Sequence, residues 1–271
     1  GELILFADDT TLVSKGSSLK NVQENHGEMT VQVSEWFAAN RLDVNASKTK
    51  SLVCSLRDFP QLDLLSPSRL SIKFLGLHID TKSNWIQHCS ELTKRCNSIL
   101  FLLRMLKQKL SIQGLRQAYF CCFHSIINYG IICWGHAPSS ARIFASQRKA
   151  VRILADLRYK DDCSREFKNL NILTLPSMYI LESVCYVKKH LKEYKSRSDV
   201  HDYNTRGSNL LALKRNRIKV RENATNYWGI KLFNCLPPAV IELEYKQFRA
   251  KIKTFLCQQA FYNIYDFIRY F

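Results

Sequence analysis

Two adjacent carboxylates near the start of the chain are its most chemically loaded feature. Asp8 and Asp9 stand between two apolar runs, residues 3–6 and 10–13, whose composition is typical of short strands. Two negative charges beside a core are costly unless a cation or hydrogen-bond donors neutralise them. Carboxylate oxygens are the ligands that Mg²⁺ prefers, and two-metal sites for phosphoryl transfer share carboxylates from separate strands. The pair indicates a divalent-metal site, although Asp-Asp also occurs in solvated turns that bind nothing.

The elements that must position these acids indicate an α+β fold. The expected elements of residues 1–80 are a hairpin around the acid pair, a helix over 19–39 that starts at a serine cap, and extended segments at 51–55 and 72–79. Residues 81–158 are expected to be helical, with further helices over 112–127 and 141–158. One stripe, expected to be core, follows helical spacing through Leu92, Cys96, Ile99, Leu103, Leu106 and Leu110. Residues 159–271 are basic and mainly helical, and are expected to close with a helix over 245–271.

The net charge of the chain is strongly basic and unevenly distributed. Its 271 residues include 40 Lys or Arg and 23 Asp or Glu, which gives a formal net charge of +17. Residues 1–80 hold eight bases and ten acids, whereas residues 81–271 hold 32 bases and 13 acids. Such an excess favours a polyanionic partner, most simply nucleic acid, while a solubilising basic surface is the plain alternative. The candidate nucleic-acid-binding residues are Lys94, Arg95, Arg104, Lys107, Arg148, Lys149, Arg152, Lys188, Lys189, Arg215 and Arg217.

Cysteine spacing and hydropathy bear on whether the chain forms disulfides and whether it has a membrane partner. Ten cysteines form no CxxC pair, so we interpret them as small buried hydrophobic residues in a reducing compartment and not as a disulfide framework. The sequence contains no apolar run of eighteen residues, and we therefore expect no membrane partner. The oligomeric state is left open.

Several segments resemble one enzyme family. The run Phe-Ala-Asp-Asp-Thr-Thr-Leu at residues 6–12 resembles motif C of reverse transcriptases, in the form found in non-long-terminal-repeat, jockey-like retrotransposons. Further segments resemble motif D, the primer-grip hairpin and the C-terminal extension, at residues 36–50, at 74–80, and at 204–206, 228–234 and 236–237. The matches occur in the family's order over nearly the whole chain. The resemblance implies a partial palm at 1–80, a helical thumb-like domain at 81–158 and a C-terminal extension at 159–271.

The resemblance also implies roles for individual residues. Asp8 would be the metal-ligating carboxylate, with Asp9 assisting, in a site for Mg²⁺ or Mn²⁺ that serves nucleotidyl transfer. Lys48 would approach the leaving pyrophosphate, and a surface salt bridge is the alternative for this lysine. The implied primer-grip residues are Phe74, Leu75 and Gly76, which would position the primer terminus. The implied partners are an RNA template and a DNA primer, and the implied location is intracellular, in cytoplasm and nucleus.

The expected catalytic site is incomplete. The two-metal scheme needs a carboxylate from an earlier strand, motif A of the family, and the fingers precede that strand. We therefore expect a fragment without polymerase activity of its own, in which the metal ion and deoxynucleotides bind only within the complete enzyme. Two alternatives stay open: a non-catalytic nucleic-acid-binding relic of a transposable element, and a poorly folded product of a decayed copy with unpaired strand edges.

Overall fold

The structure, a computed structural model, describes residues 1–55, 71–200, 207, 209–213 and 225–271. The chain divides into two units, Gly1–Ser51 and Leu52–Phe271. This boundary groups the hairpin at 71–80 with the helices that follow it. The assignment of 1–80, 81–158 and 159–271 to palm, thumb and extension stays a prediction.

The first unit is a β-hairpin followed by one helix. Strand β1 (Glu2–Phe6) pairs antiparallel with β2 (Asp9–Val13), from Glu2 opposite Val13 to Phe6 opposite Asp9. Helix α1 (Leu19–Ala39) begins after Ser18, whose Oγ accepts a hydrogen bond of 3.2 Å from the backbone N–H of Asn21. Both the hairpin and the serine cap of the helix are confirmed.

The second unit opens with another small hairpin. Strand β3 (Ser71–Phe74) pairs antiparallel with β4 (Leu77–Asp80) around a two-residue turn, which confirms extended backbone at this point. The strand expected at residues 51–55 is wrong, because these residues belong to no strand, although the Ser55 N–H donates to the Thr81 carbonyl oxygen at 3.1 Å. Two hairpins within a mainly helical chain are compatible with an α+β fragment.

Helices make up most of the second unit. The longest is α2 (Ile86–Lys107), and a π-helical segment (Tyr119–His124) joins the helix before it to the helix after it. The other helices are α3 (Ile112–Ala118), α4 (Ser125–Asn128), α5 (Ile131–Trp134), α6 (Ala141–Leu154), α7 (Ser164–Asn169), α8 (Leu175–Lys189), α9 (Thr225–Phe233), α10 (Pro238–Ile241), α11 (Tyr245–Gln259) and α12 (Ile264–Tyr270). The helix expected over 245–271 is interrupted, because Ala260 adopts a left-handed conformation with φ 53° and Asn263 caps a new helix.

The core of the second unit forms around α8. Ten of its fifteen residues are buried, so it is covered on most sides, and it packs against α9, α11 and α5. Helix α2 packs along α6 with the expected stripe, in which Leu92, Cys96 and Leu103 are buried. Leu110 departs from this expectation, since α2 ends at Lys107 and the leucine is 42% exposed.

Five of the ten cysteines contribute to this core, whereas Cys54 and Cys121 are exposed, so the expectation of buried cysteines is wrong for these two. Cys89, Cys96, Cys163, Cys185 and Cys257 are buried. Burial raises the pKa of the Cys96 thiol to about 12 and that of Cys185 to about 11. Both thiols are therefore protonated at neutral pH and poor nucleophiles.

Candidate functional site

The two carboxylates lie at the turn of the first hairpin. Ala7 and Asp8 form the two-residue connection, and Ala7 has a φ of 52°, in the left-handed region that an alanine rarely adopts. Asp9 is the first residue of β2 and pairs with Phe6. This tight turn holds two neighbouring carboxylates at one end of a short ribbon.

Both carboxylates are exposed, and the core expected beside them is missing from this unit. No residue of Gly1–Ser51 is buried, and the apolar residues of β1 are open to solvent, with Leu5 66% and Phe6 62% exposed. The charges of Asp8 and Asp9 are therefore solvated and need no cation to be tolerated. Among the described residues there is no group of three or more His, Cys, Asp or Glu that could hold a metal ion. Asp8 and Asp9 could supply some of the ligands of a divalent cation, but two carboxylates do not make a complete coordination shell.

Lys48 lies in a turn organised by Asn45. The Asn45 side-chain oxygen accepts hydrogen bonds from the Lys48 N–H at 3.2 Å and from the Ser47 hydroxyl at 2.7 Å. The Lys48 side chain makes no ion pair with a residue that the structure describes, so the alternative of a surface salt bridge finds no partner there. Its proposed approach to pyrophosphate stays a prediction.

The predicted primer-grip residues form the tip of the second hairpin. Leu75 and Gly76 have φ values of 44° and 82°, so both central residues of the turn are left-handed. The Tyr129 hydroxyl donates a 2.6 Å hydrogen bond to the Leu75 carbonyl oxygen. A Cβ atom at Gly76 would lie 3.3 Å from the Tyr129 ring, closer than ordinary contact. The glycine thus allows a close approach, and its neighbour is a tyrosine of the same unit.

Asp80, which sequence reasoning did not single out, anchors the other end of this hairpin. It is 9% exposed, and its carboxylate accepts hydrogen bonds from three backbone N–H groups, those of Lys82 (3.2 Å), Asn84 (2.9 Å) and Trp85 (2.8 Å). These N–H groups lie just before α2, where the helix dipole stabilises a negative charge. The sequence signal for this role of Asp80 is an acidic residue shortly before a long segment of apolar residues at helical spacing.

His88 links β4 to the helical core. The backbone N–H of His78 donates to His88 Nδ1 at 3.4 Å, and the imidazole packs beside the Trp134 ring at 5.5 Å between centroids. Burial, helped by the nearby His78 and Arg95, lowers the pKa of His88 to about 4. His88 is therefore neutral at pH 7 and has a structural role.

The candidate cations of α2 divide into two groups. Arg95 and Arg104 are exposed and make no ion pair with any described residue. Lys94 pairs with Glu91 at 2.8 Å, and Lys107 pairs with Asp156. Of these four cations, only the two arginines carry charge that no described acid neutralises.

Three of the other five candidate cations that the structure describes make contacts that support the fold. Arg148 lies over the Phe144 ring at 5.3 Å, and Arg152 Nε donates to the Asp161 carbonyl oxygen at 2.8 Å. Lys188 donates to the Ile241 carbonyl oxygen, which ties α8 to α10. Lys149 is half-buried and Lys189 is exposed. Arg215 and Arg217 lie outside the described residues.

The outer side of α2 also carries apolar residues that the sequence pattern did not indicate. Phe101 is 64% exposed, Met105 49% and Leu102 41%, at helical spacing from the exposed arginines. The exposed side of α2 is therefore not purely polar. Basic and apolar groups share this side of the helix.

Comparison with known proteins found one similarity over much of the chain. Over an alignment of 213 residues, the chain is 25% identical to a Drosophila melanogaster protein described as a probable RNA-directed DNA polymerase from transposon BS. The chain is thus similar to a transposon polymerase. The alignment covers 73% of this chain and 22% of that protein, so the chain spans about a fifth of the relative's length. No family model and no solved structure matches.

This similarity supports the coarse part of the resemblance, a relation to reverse transcriptases. The jockey-like type and the C-terminal position within the enzyme stay predictions. Among the helices that the structure describes, none is long and apolar enough to cross a membrane.

Proposed function

We propose that this chain is the C-terminal part of the reverse transcriptase of a non-long-terminal-repeat, jockey-like retrotransposon. The observation that carries the proposal is a two-residue hairpin turn with adjacent exposed carboxylates, Asp8 and Asp9, in a chain 25% identical to a transposon polymerase. In this proposal residues 1–80 end the palm, 81–158 are the thumb and 159–271 are the C-terminal extension.

Asp8 and Asp9 would provide part of the ligand set for Mg²⁺ or Mn²⁺. When bound, such an ion supplies charge neutralisation and activation of the primer 3′ hydroxyl. The two carboxylates are exposed, so they could coordinate an ion without first unpacking any buried side chain. Because the described residues contain no third ligand grouped with them, we propose that the chain alone does not polymerise.

The second unit would hold the RNA template and DNA primer. Arg95 and Arg104 have exposed charges for phosphates, and backbone contacts of this kind fix position without reading sequence. Residues 74–76 would touch the primer terminus from a hairpin tip that Tyr129 keeps in place. The expected location, in cytoplasm and nucleus, belongs to this same proposal.

Fluorescence anisotropy with a blunt RNA–DNA hybrid tests the proposal. We expect binding that weakens as salt rises, and a salt slope smaller by about two in the double variant Arg95→Ala/Arg104→Ala. The matched control, Lys168→Ala/Lys251→Ala, removes the same charge from exposed positions on other helices. A hybrid that does not bind, or a loss of affinity equal in both double variants, would contradict the proposed interface.

A primer-extension assay tests the catalytic part. With Mg²⁺ or Mn²⁺ and all four deoxynucleotides, the purified chain should not extend an annealed primer. Templated synthesis by the chain alone would show that the proposed incompleteness is wrong.

A second candidate function is a non-catalytic nucleic-acid-binding relic. It is favoured by the observation that every buried residue of the described chain lies in the second unit, away from the carboxylates in sequence. In this case hybrid binding would need no divalent metal and would survive Asp8→Asn unchanged. Hybrid binding that requires a divalent metal and is lost in Asp8→Asn would favour the polymerase fragment instead.

A further inference from the structure

A pocket of about 300 Å³ is lined by residues of α4, α5, α8 and α11 in the second unit. Its walls come from the turn between α4 and α5, from the last turns of α8, and from the first residue of α11. Ligand sites for small molecules start at about this volume, so the space suits one ring-sized group and little more. The relevant lining residues are Asn128, Glu182, Tyr186, Lys189 and Tyr245.

Two tyrosines give the pocket aromatic walls. Tyr186 and Tyr245 are each 39% exposed, so both rings keep free surface. The Tyr186 ring stacks on His190 at 4.6 Å between centroids, and His190 Nδ1 is hydrogen-bonded to a carboxylate oxygen of Glu193 at 2.7 Å. These contacts orient the Tyr186 ring before any ligand arrives, which lowers the entropy cost of binding.

The polar lining suits a nucleotide. Lys189 is exposed and pairs with no acid among the described residues, and the Asn128 amide makes no side-chain hydrogen bond with them, so it has donors and an acceptor to offer. Glu182 would repel a phosphate, but its two oxygens accept hydrogen bonds from Arg249 at 2.7 and 3.3 Å. The same contact raises the pKa of Arg249, so this wall carries a neutralised pair.

We propose that the pocket binds one unpaired base of single-stranded RNA or DNA. The base would stack on Tyr186 and Tyr245, with the Asn128 amide at its edge and Lys189 at the adjoining phosphate. Because every base has a π-face, such a site tolerates any sequence. The inference rests on the proposed function, nucleic-acid binding by this unit, and adds a contact to single strands that is separate from the duplex contacts proposed for Arg95 and Arg104.

The affinity gained from a single-stranded extension tests the pocket. Anisotropy is measured for a blunt RNA–DNA hybrid and for the same hybrid with three unpaired nucleotides at one end. The extension should raise affinity about tenfold, the effect expected of one stacked base. Tyr186→Ala and Tyr245→Ala should each lose most of this gain, whereas Tyr186→Phe and Tyr245→Phe keep the ring and should retain it.

The control is Tyr159→Ala, which removes a tyrosine that is 74% exposed and does not line the pocket. This variant should keep the full gain. If the alanine variants of Tyr186 and Tyr245 also keep it, or if the extension adds nothing to the wild type, the pocket proposal is wrong while duplex binding stands. Binding of the extended hybrid that depends on the tyrosines, without any binding of the blunt hybrid, would support the pocket and overturn the proposed duplex contacts of Arg95 and Arg104. If neither nucleic acid binds, both proposals fall.

Discussion

The Tyr129 hydroxyl donates a hydrogen bond of 2.6 Å to the carbonyl oxygen of Leu75, across 54 residues of sequence. The bond joins the turn between α4 and α5 to the tip of the second hairpin. Gly130, the next residue, lies against Leu77, since a Cβ atom added to it would come within 2.9 Å of a Leu77 methyl carbon. The Tyr129 side chain therefore holds the hairpin tip by a hydrogen bond, and the lack of a side chain at Gly130 allows Leu77 to pack closely against it.

Tyr129→Phe should loosen the hairpin without unfolding the unit. The change removes one hydrogen bond at a residue that is 56% exposed, and its net contribution to stability is about 1 kcal/mol or less. Hydrogen exchange should show faster exchange of amides in β3 and β4 and unchanged exchange in α8. Tyr265→Phe, at a tyrosine that is 53% exposed on α12, is the matched control. Equal protection of the hairpin in wild type and Tyr129→Phe would contradict the role of this bond.

Asp80→Ala should destabilise the second unit by about 3 kcal/mol. The variant leaves three backbone N–H groups without their carboxylate acceptor where the chain enters α2, and bonds to a charged group contribute more than neutral ones. The free energy of unfolding is measured by urea titration of the whole chain. Asp43→Ala removes an exposed acid of the first unit and should leave this transition where it is. An equal midpoint for Asp80→Ala and wild type would refute the anchoring role.

Local patterns in the sequence were sufficient for several elements. The serine cap and apolar spacing predicted α1, and the stripe through Leu92, Cys96 and Leu103 predicted the buried side of α2. These signals depend on residues within one or two turns of each other. The break at Ala260 has no such signal, because an alanine with a left-handed φ is imposed by tertiary packing and not by propensity.

The candidate site was less predictable, because its decisive contacts join distant parts of the sequence. The charge count identified the basic residues of α2, but only the structure separates Arg95 and Arg104 from Lys107, whose partner Asp156 is 49 residues away. The hydrogen bond from Tyr129 to Leu75 likewise cannot be inferred from residue spacing, because it joins positions 54 residues apart. Composition shows which charges exist, and tertiary structure decides which of them are neutralised.

Gln147→Leu should be among the most damaging single changes. The Gln147 amide is fully buried; it donates 2.9 Å hydrogen bonds to the Tyr119 hydroxyl and the Leu173 carbonyl oxygen, and accepts one of 2.7 Å from the Leu175 N–H. Leucine fills a similar volume but leaves these groups unpaired, at a cost of about 3 kcal/mol or more. Urea unfolding measures the loss, and Gln113→Leu, at an exposed position, should change stability by little. A midpoint shared by both variants would argue against the network.

Two histidines should make the second unit sensitive to mild acid. Burial lowers the pKa of His88 and of His136 to about 4, from an ordinary value near 6.5. Between these values the unfolded chain binds protons that the folded chain does not, so stability is complete above pH 6.5 and falls as the pH drops toward 4. Each histidine contributes up to about 3 kcal/mol to this loss.

The measurement is urea unfolding at pH 7, 5.5 and 4.5. His88→Gln removes the titration while keeping an acceptor for the His78 N–H, so its stability should fall less steeply with pH than that of wild type. His26→Gln, at a partly exposed histidine of the first unit, should follow the wild-type curve. Parallel curves for His88→Gln and wild type would mean that the imidazole of His88 gains protons equally in both states, and its proposed burial as a neutral ring would be wrong.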